Sequence, residues 1–163
     1  MLKKNLDDYR KGAVGALMDE YERAAIELKL IVQNTAKKDY EQIADSETTN
    51  EDCRSIQTIV SHVIFSGYGY ADAIREDFSM KAAPREKKQI SHQEFGIEID
   101  KMLAYTVETL EGNWELSVAE MNTIIIKSDD GFIETIEQLL EHAIVHVLRH
   151  RRQIENFLLK FEG

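Results

Sequence analysis

The chain has 163 residues, 43% of them hydrophobic, which suits a single domain spanning residues 1–163 with a real core. Its net charge of -10 argues against a nucleic-acid partner and against an anionic membrane surface, since both call for a basic face. The one cysteine, Cys53, excludes an internal disulfide, and no histidine lies near it in sequence to activate it as a nucleophile.

The N-terminal stretch from Met1 to Asp8 has no apolar run of the kind a signal peptide needs, so a cytoplasmic protein is expected. Alanine, leucine, glutamate and lysine are plentiful and proline occurs once, at Pro84, which favours helix throughout. From Asp7 to about Asn34, residues Val14, Leu17, Met18, Tyr21, Ala25, Leu28 and Val32 recur at helical spacing and predict a first helix. Gly12, Gly15 and Ala16 form a small-residue patch on it, suited to close helix contact. Ala36 to Cys53 is polar and acidic, a long connection with one short helical turn around Tyr40 to Ile43.

A second helix is predicted from Ser55 to Phe78. Between Ser55 and Ala71 it carries no Asp, Glu, Lys or Arg. Gln57, Ser61, His62, Ser66, Gly67 and Gly69 make it too polar to span a membrane. A helix uncharged all round is buried on several sides, so it either sits centrally or lends its outer face to a homodimer.

Met80 to Ile90 is a charged connection. Ser91-His92-Gln93-Glu94 is a capping box that opens a third helix running to about Leu110, with Phe95, Ile99, Met102, Leu103, Thr106 and Leu110 inward. His92, beside the cap, is expected on the solvated surface. Trp114 to Lys127 predicts a long, partly extended loop, in which Thr123-Ile124-Ile125-Ile126 is strand-like without an evident partner. Ser128-Asp129-Asp130-Gly131 is a turn launching the last helix, Phe132 to Phe161. The expected fold class is all-α, a four-helix bundle with long inter-helix connections. Antiparallel neighbours need only about 2–8 linking residues, so connections this long allow crossovers.

The last helix holds three of the five histidines: His142, His146 and His150, each four residues from the next. Its inward seam is Ile136, Leu140, Ala143, Val147, His150, Ile154, Phe157 and Phe161, in steps of four and three. His150 occupies the seam and His146 sits one turn earlier, about 40° to one side. His142 is about 80° from His150, at the edge of the buried face. Two imidazoles at i and i+4 are half of a metal site, because their nitrogens can converge on one ion. The third ligand would be His62, inside the uncharged second helix. Its face reads Ser55, Ile59, His62, Ser66, Gly69 and Ala73, small residues that leave volume beside an ion. Three neutral imidazoles with an open position describe a catalytic rather than a closed structural site. Arg149, Arg151 and Arg152 read as a solvated face. No histidine has Glu or Asp three residues before it, which excludes a carboxylate-bridged di-iron site, and no phosphate loop or nucleophile elbow is present.

The buried histidine of Ile59-Val60-Ser61-His62-Val63-Ile64, followed far downstream by His146-Val147-Leu148-Arg149-His150-Arg151-Arg152-Gln153, resembles the DinB/YfiT-like superfamily. Thr135 to His142 resembles it too, a further histidine at the His142 position being common there. Members are four-helix bundles holding one divalent metal with three histidines, so the resemblance implies His62, His146 and His150 as ligands. Arg152 stands where many members have glycine. Characterised members include thiol-dependent transferases and isomerases. The resemblance therefore implies an ion such as zinc or nickel, a low-molecular-weight thiol as cosubstrate and a small-molecule substrate. The other reading is a non-catalytic helical bundle, dimeric through its second helix, with structural histidines or a merely stabilising ion.

Overall fold

The computed structural model describes residues 8–82, 85–127, 131 and 133–162. Pro84, residues 128–130 of the expected turn, and Phe132 lie outside them. The protein is mostly helical. Its elements are α1 Gly12–Gln33, α2 Lys37–Glu41, α3 Ile56–Asp77, α4 His92–Leu110, α5 Val118–Met121, β1 Ile125–Lys127, β2 Ile133–Thr135 and α6 Ile136–Glu162.

Local chemistry explains where the helices start. Ser55 with Thr58, Ser91 with Glu94 and Ser117 with Glu120 form reciprocal capping boxes at α3, α4 and α5. The same exchange opens α6: Thr135 Oγ1 accepts from the Gln138 amide at 3.3 Å, and Gln138 Oε1 accepts from the Thr135 amide at 2.9 Å. Each device satisfies backbone N–H groups that a helix start leaves unpaired.

The four long helices pack pairwise, α1 against α4 and α6, and α3 against the same two. Side-chain contacts give the directions. His92, at the start of α4, reaches the Val32 carbonyl near the end of α1, so these helices are antiparallel. Ser61 Oγ accepts from the Ile90 amide just before α4, while Arg75 Nε donates to Thr109 Oγ1 near the ends of both helices, so α3 and α4 run parallel. His62 meets His146 and His150, whereas Tyr70 meets His142, so α3 and α6 are antiparallel. The order is up, down, down, up. The connections α1–α3 and α4–α6 each cross a diagonal, which is why they are long.

The core is continuous across these interfaces, with Met18, Tyr21, Leu28, Ile56, Ile59, Phe95, Ile99 and Met102 fully buried. It is tight at Gly67 on α3. A Cβ there would lie 2.3 Å from Met102 Sδ and 2.9 Å from the Tyr21 hydroxyl. The α3–α4 connection is pinned from both sides. Arg85 pairs with Asp72 at 2.7 Å and stacks over Tyr68 and Tyr105, while the Ile90 carbonyl accepts from the Tyr40 hydroxyl at 2.8 Å. No helix among the described residues is long and apolar enough to cross a membrane.

Several expectations need correction. The last helix begins at Ile136, not Phe132, because residues 133–135 are extended and pair antiparallel with residues 125–127. That pairing is the partner the strand-like segment lacked. The expected loop also contains α5, signalled by its own Ser117 and Glu120 cap. His92 is not solvated: it is half-buried, its ring edge-on to Tyr40 at 5.1 Å. The Gly12 patch meets backbone rather than a helix, a Cβ at Gly12 falling 2.2 Å from the Trp114 carbonyl oxygen. The seam of α6 holds from Ile136 to Phe157, while Phe161 is only half-buried.

Two glycines on α3 should respond oppositely to alanine. Gly69→Ala, with nothing within 4 Å of its Cβ, should stabilise the protein by about 0.5–1 kcal/mol through helix propensity. Gly67→Ala should destabilise it by about 1–3 kcal/mol through overpacking. Urea unfolding measures both, and a Gly67→Ala protein as stable as Gly69→Ala would refute the close approach of α3 to α4.

Candidate metal centre

The three predicted ligands come together where α3 and α6 cross. His146 and His150 point inward from successive turns of α6 and are 8% and 7% exposed, while the His62 side chain, from the first half of α3, is 25% exposed. Ring centroids are 4.9 Å apart for His62–His146, 5.2 Å for His62–His150 and 4.5 Å for His146–His150. One ring nitrogen of each lies within 4.8 Å of the others. Nε2 of His62 and Nε2 of His146 are 3.0 Å apart. A tetrahedral ion with bonds of about 2.0–2.1 Å separates its ligand nitrogens by about 3.3–3.4 Å, so the His62–His146 pair needs an adjustment of a few tenths of an ångström and the set as a whole must draw in from within 4.8 Å to hold one ion.

Protonation favours the same use. Burial, followed by the neighbouring His150 and His62, pushes His146 down to about 3. Burial and then His62 push His150 down to about 4, against a hydrogen bond with Gln153 that acts the other way. Both rings are therefore neutral near pH 7, the form in which imidazole binds a metal.

Outer partners orient two of the rings. His62 Nδ1 lies 3.3 Å from Asp52 Oδ2, and His150 Nδ1 lies 3.1 Å from Gln153 Oε1. The Gln153 bond puts the His150 proton on Nδ1 and makes Nε2 the lone-pair nitrogen, as at metal-bound histidines, and the nearby Asp52 carboxylate favours the same tautomer at His62 by its charge. His146 is different, because its Nδ1 is buried and has no partner among the described residues. A buried polar atom of this kind costs roughly 1–3 kcal/mol, which marks a site kept for something other than packing.

The surroundings refine the remaining expectations. His142 is half-buried at the edge, as the wheel predicts, and its Nδ1 lies 3.1 Å from Glu134 Oε1 on β2. Tyr70 places its ring between them, 5.4 Å from His142 and 5.8 Å from His146. Of the small residues next to His62 on α3, Ser66 is half-buried and Gly69 faces open space. Arg151 is held by Glu27 and Glu155, whereas Arg149 and Arg152 are exposed. Cys53 is half-buried in the short 3-10 turn Glu51–Cys53 that carries Asp52.

Sequence reasoning missed Asp52, Glu134, Tyr70 and the role of Gln153. Gln153 could have been found, since i+3 on a helix places it beside His150. Asp52 and Glu134 sit on connections, and no periodicity ties them to a helical histidine.

No protein-family model matches the chain, and comparison with curated proteins and with solved structures finds no similar protein. The geometry of the chain itself must carry the functional reading.

Two histidines kept neutral in the fold bind fewer protons than the unfolded chain between their depressed values and about 6.5. Chelator-treated protein should therefore lose stability as the pH falls from about 6.5 toward 4. His146→Leu/His150→Leu should flatten that slope in urea unfolding followed from pH 7 to 4.5. A slope unchanged by the double substitution would show that these rings are not buried in neutral form.

Proposed function

We propose that this chain is a metal-dependent protein whose single divalent ion is held by His62, His146 and His150. The observation that carries this reading is the convergence of three ring nitrogens, from two helices, within 4.8 Å. The chemistry of the donors agrees, since three neutral imidazoles without a bound carboxylate suit borderline ions such as zinc or nickel. We further propose a DinB/YfiT-like four-helix bundle, on the strength of the motif resemblance together with the pairwise packing of the four long helices.

A divalent ion supplies Lewis acidity that lowers the pKa of a thiol or water brought to it. The chain provides the setting. His146 and His150 hold the buried side of the site. His62, the most exposed of the three, forms the side that faces solvent, next to Ser66 and Gly69. A small thiol such as a cosubstrate, or a water, would approach there. His142, fixed by Glu134, stands at the edge of that approach beside Tyr70. The reaction class we favour is thiol transfer to a small electrophile, with hydrolysis as the variant that uses water.

Protein purified without affinity tags should carry close to one equivalent of divalent metal by elemental analysis. His62→Ala, His146→Ala and His150→Ala should each lose most of it, while His142→Ala should keep it. Added zinc at 100 times its Kd should stabilise chelated wild type by about 2.7 kcal/mol. Equal metal content in wild type and all three ligand variants would remove the proposal. Metal that raises stability, with no absorption change when thiols are added to the cobalt form, would favour the non-catalytic reading.

A further inference from the structure

Asp52 does more than stand 3.3 Å from His62 Nδ1. Its two carboxylate oxygens also receive Lys87 Nζ, at 2.6 Å to Oδ1 and 2.7 Å to Oδ2. The backbone of Asp52 is fixed as well, its amide donating to Asn50 Oδ1 at 3.0 Å in the cap of the 3-10 turn. Lys87 belongs to the connection between α3 and α4. That segment is held on both sides of Lys87, by Arg85 on Asp72, Tyr68 and Tyr105, and by Ile90 on Ser61 and Tyr40. A pinned strap thus delivers an ammonium group to the carboxylate behind a candidate ligand.

We infer that Lys87 is a positioning residue of the metal centre, acting through Asp52 to hold the His62 ring in its ligating tautomer and orientation. The inference rests on the metal reading above. Both oxygens of Asp52 are engaged by Lys87, so the carboxylate cannot rotate away without losing a charge-assisted bond. With the carboxylate fixed, Oδ2 stays within reach of His62 Nδ1, and the proton stays on Nδ1. Without Lys87 the part-exposed carboxylate is free to rotate into solvent, and the negative charge that favours a proton on His62 Nδ1 is withdrawn for part of the time. By reciprocity, an ion that fixes His62 also tightens the strap.

Long-range electrostatics makes the opposite prediction, which makes the proposal testable. Removing a positive charge near a cation site should strengthen cation binding. The relay requires that removing Lys87 weaken it. Zinc affinity is measured by competition with a chelating dye on full-length protein. Lys87→Met should bind zinc about 3–10-fold more weakly than wild type, and Asp52→Ala about 10–100-fold more weakly, the range for lost outer partners. Lys87→Arg should restore the affinity. Lys88→Met, the same charge change one residue along, should bind as tightly as wild type or more tightly. Adding Lys87→Met to Asp52→Ala should cost nothing further.

A second readout needs no metal. Long-range 15N NMR of the imidazoles in chelated protein should find His62 protonated on Nδ1 in wild type and shifted toward a tautomer mixture in Lys87→Met. Zinc binding by Lys87→Met equal to or tighter than wild type would overturn the inference. So would an unchanged His62 tautomer in that variant. If wild type binds no zinc, the metal reading fails by itself, and the tautomer measurement alone decides whether Lys87 positions His62.

Discussion

The structure depends on an antiparallel contact between α3 and α6 that places imidazoles where hydrocarbon would ordinarily go. Around His146 and His150 the seam of α6 is apolar, with Leu140, Ala143, Val147 and Ile154 all buried. Leucine at either histidine position would remove a polar ring from the core. Keeping histidine instead means holding two rings neutral against their solvation preference, with one ring nitrogen of His146 unpartnered among the described residues. A local departure from good packing, surrounded by regular packing, is the pattern that functional sites produce. The helices around it supply the compensation. Tyr21, Met102 and Gly67 make a tight junction of α1, α3 and α4. That junction fixes α3 independently of the histidines.

Much of this was legible in the sequence, for reasons that can be named. Helix periodicity separated His146 and His150 from His142, and the structure gives the same division. The uncharged stretch of α3 marked a buried helix and made its lone histidine a partner for α6. The capping box at Ser91 is a local signal that survives folding, whereas the equally local box at Ser117 reads as part of a loop because the helix it opens is only four residues long. The start of α6 was misjudged although Thr135 and Gln138 form such a box, because the apolar spacing around it also fits a helix that begins earlier. The hairpin was missed for a different reason. The first strand reads as strand-like over residues 123–126, but its partner is three residues long, too short for alternation to stand out, and the pairing between them is a tertiary fact.

The outer partners were illegible for the same physical reason. A ligand on a helix is announced by the repeat of the helix. A carboxylate on a connection is announced by nothing until the chain has folded. Asp52, Glu134 and Lys87 all lie on connections, and each meets a histidine or its partner. Gln153 is the exception because its partner lies one turn away on its own helix.

Topology explains why connections are the source of these groups. Because α1 and α3, and likewise α4 and α6, are not neighbours, the chain crosses a diagonal twice, and because α3 and α4 run parallel it must also return along the length of the bundle between them. The first crossing carries Asp52 to His62, and the second carries Glu134 to His142. The remaining connection, which returns from the end of α3 to the start of its parallel neighbour α4, is fastened by Arg85 and Ile90 and presents Lys87 to Asp52. Helices therefore place the three candidate ligand rings, and connections supply the outer partners of His62 and of the neighbouring His142. The two tasks draw on separate stabilities. The helices rest on a buried core, whereas Asp52 and Lys87 are 27% and 48% exposed on their side chains. Solvent-exposed ion pairs contribute little to global stability. A change in a connection is thus expressed chiefly in the geometry of a single ring, with the core of the protein left intact.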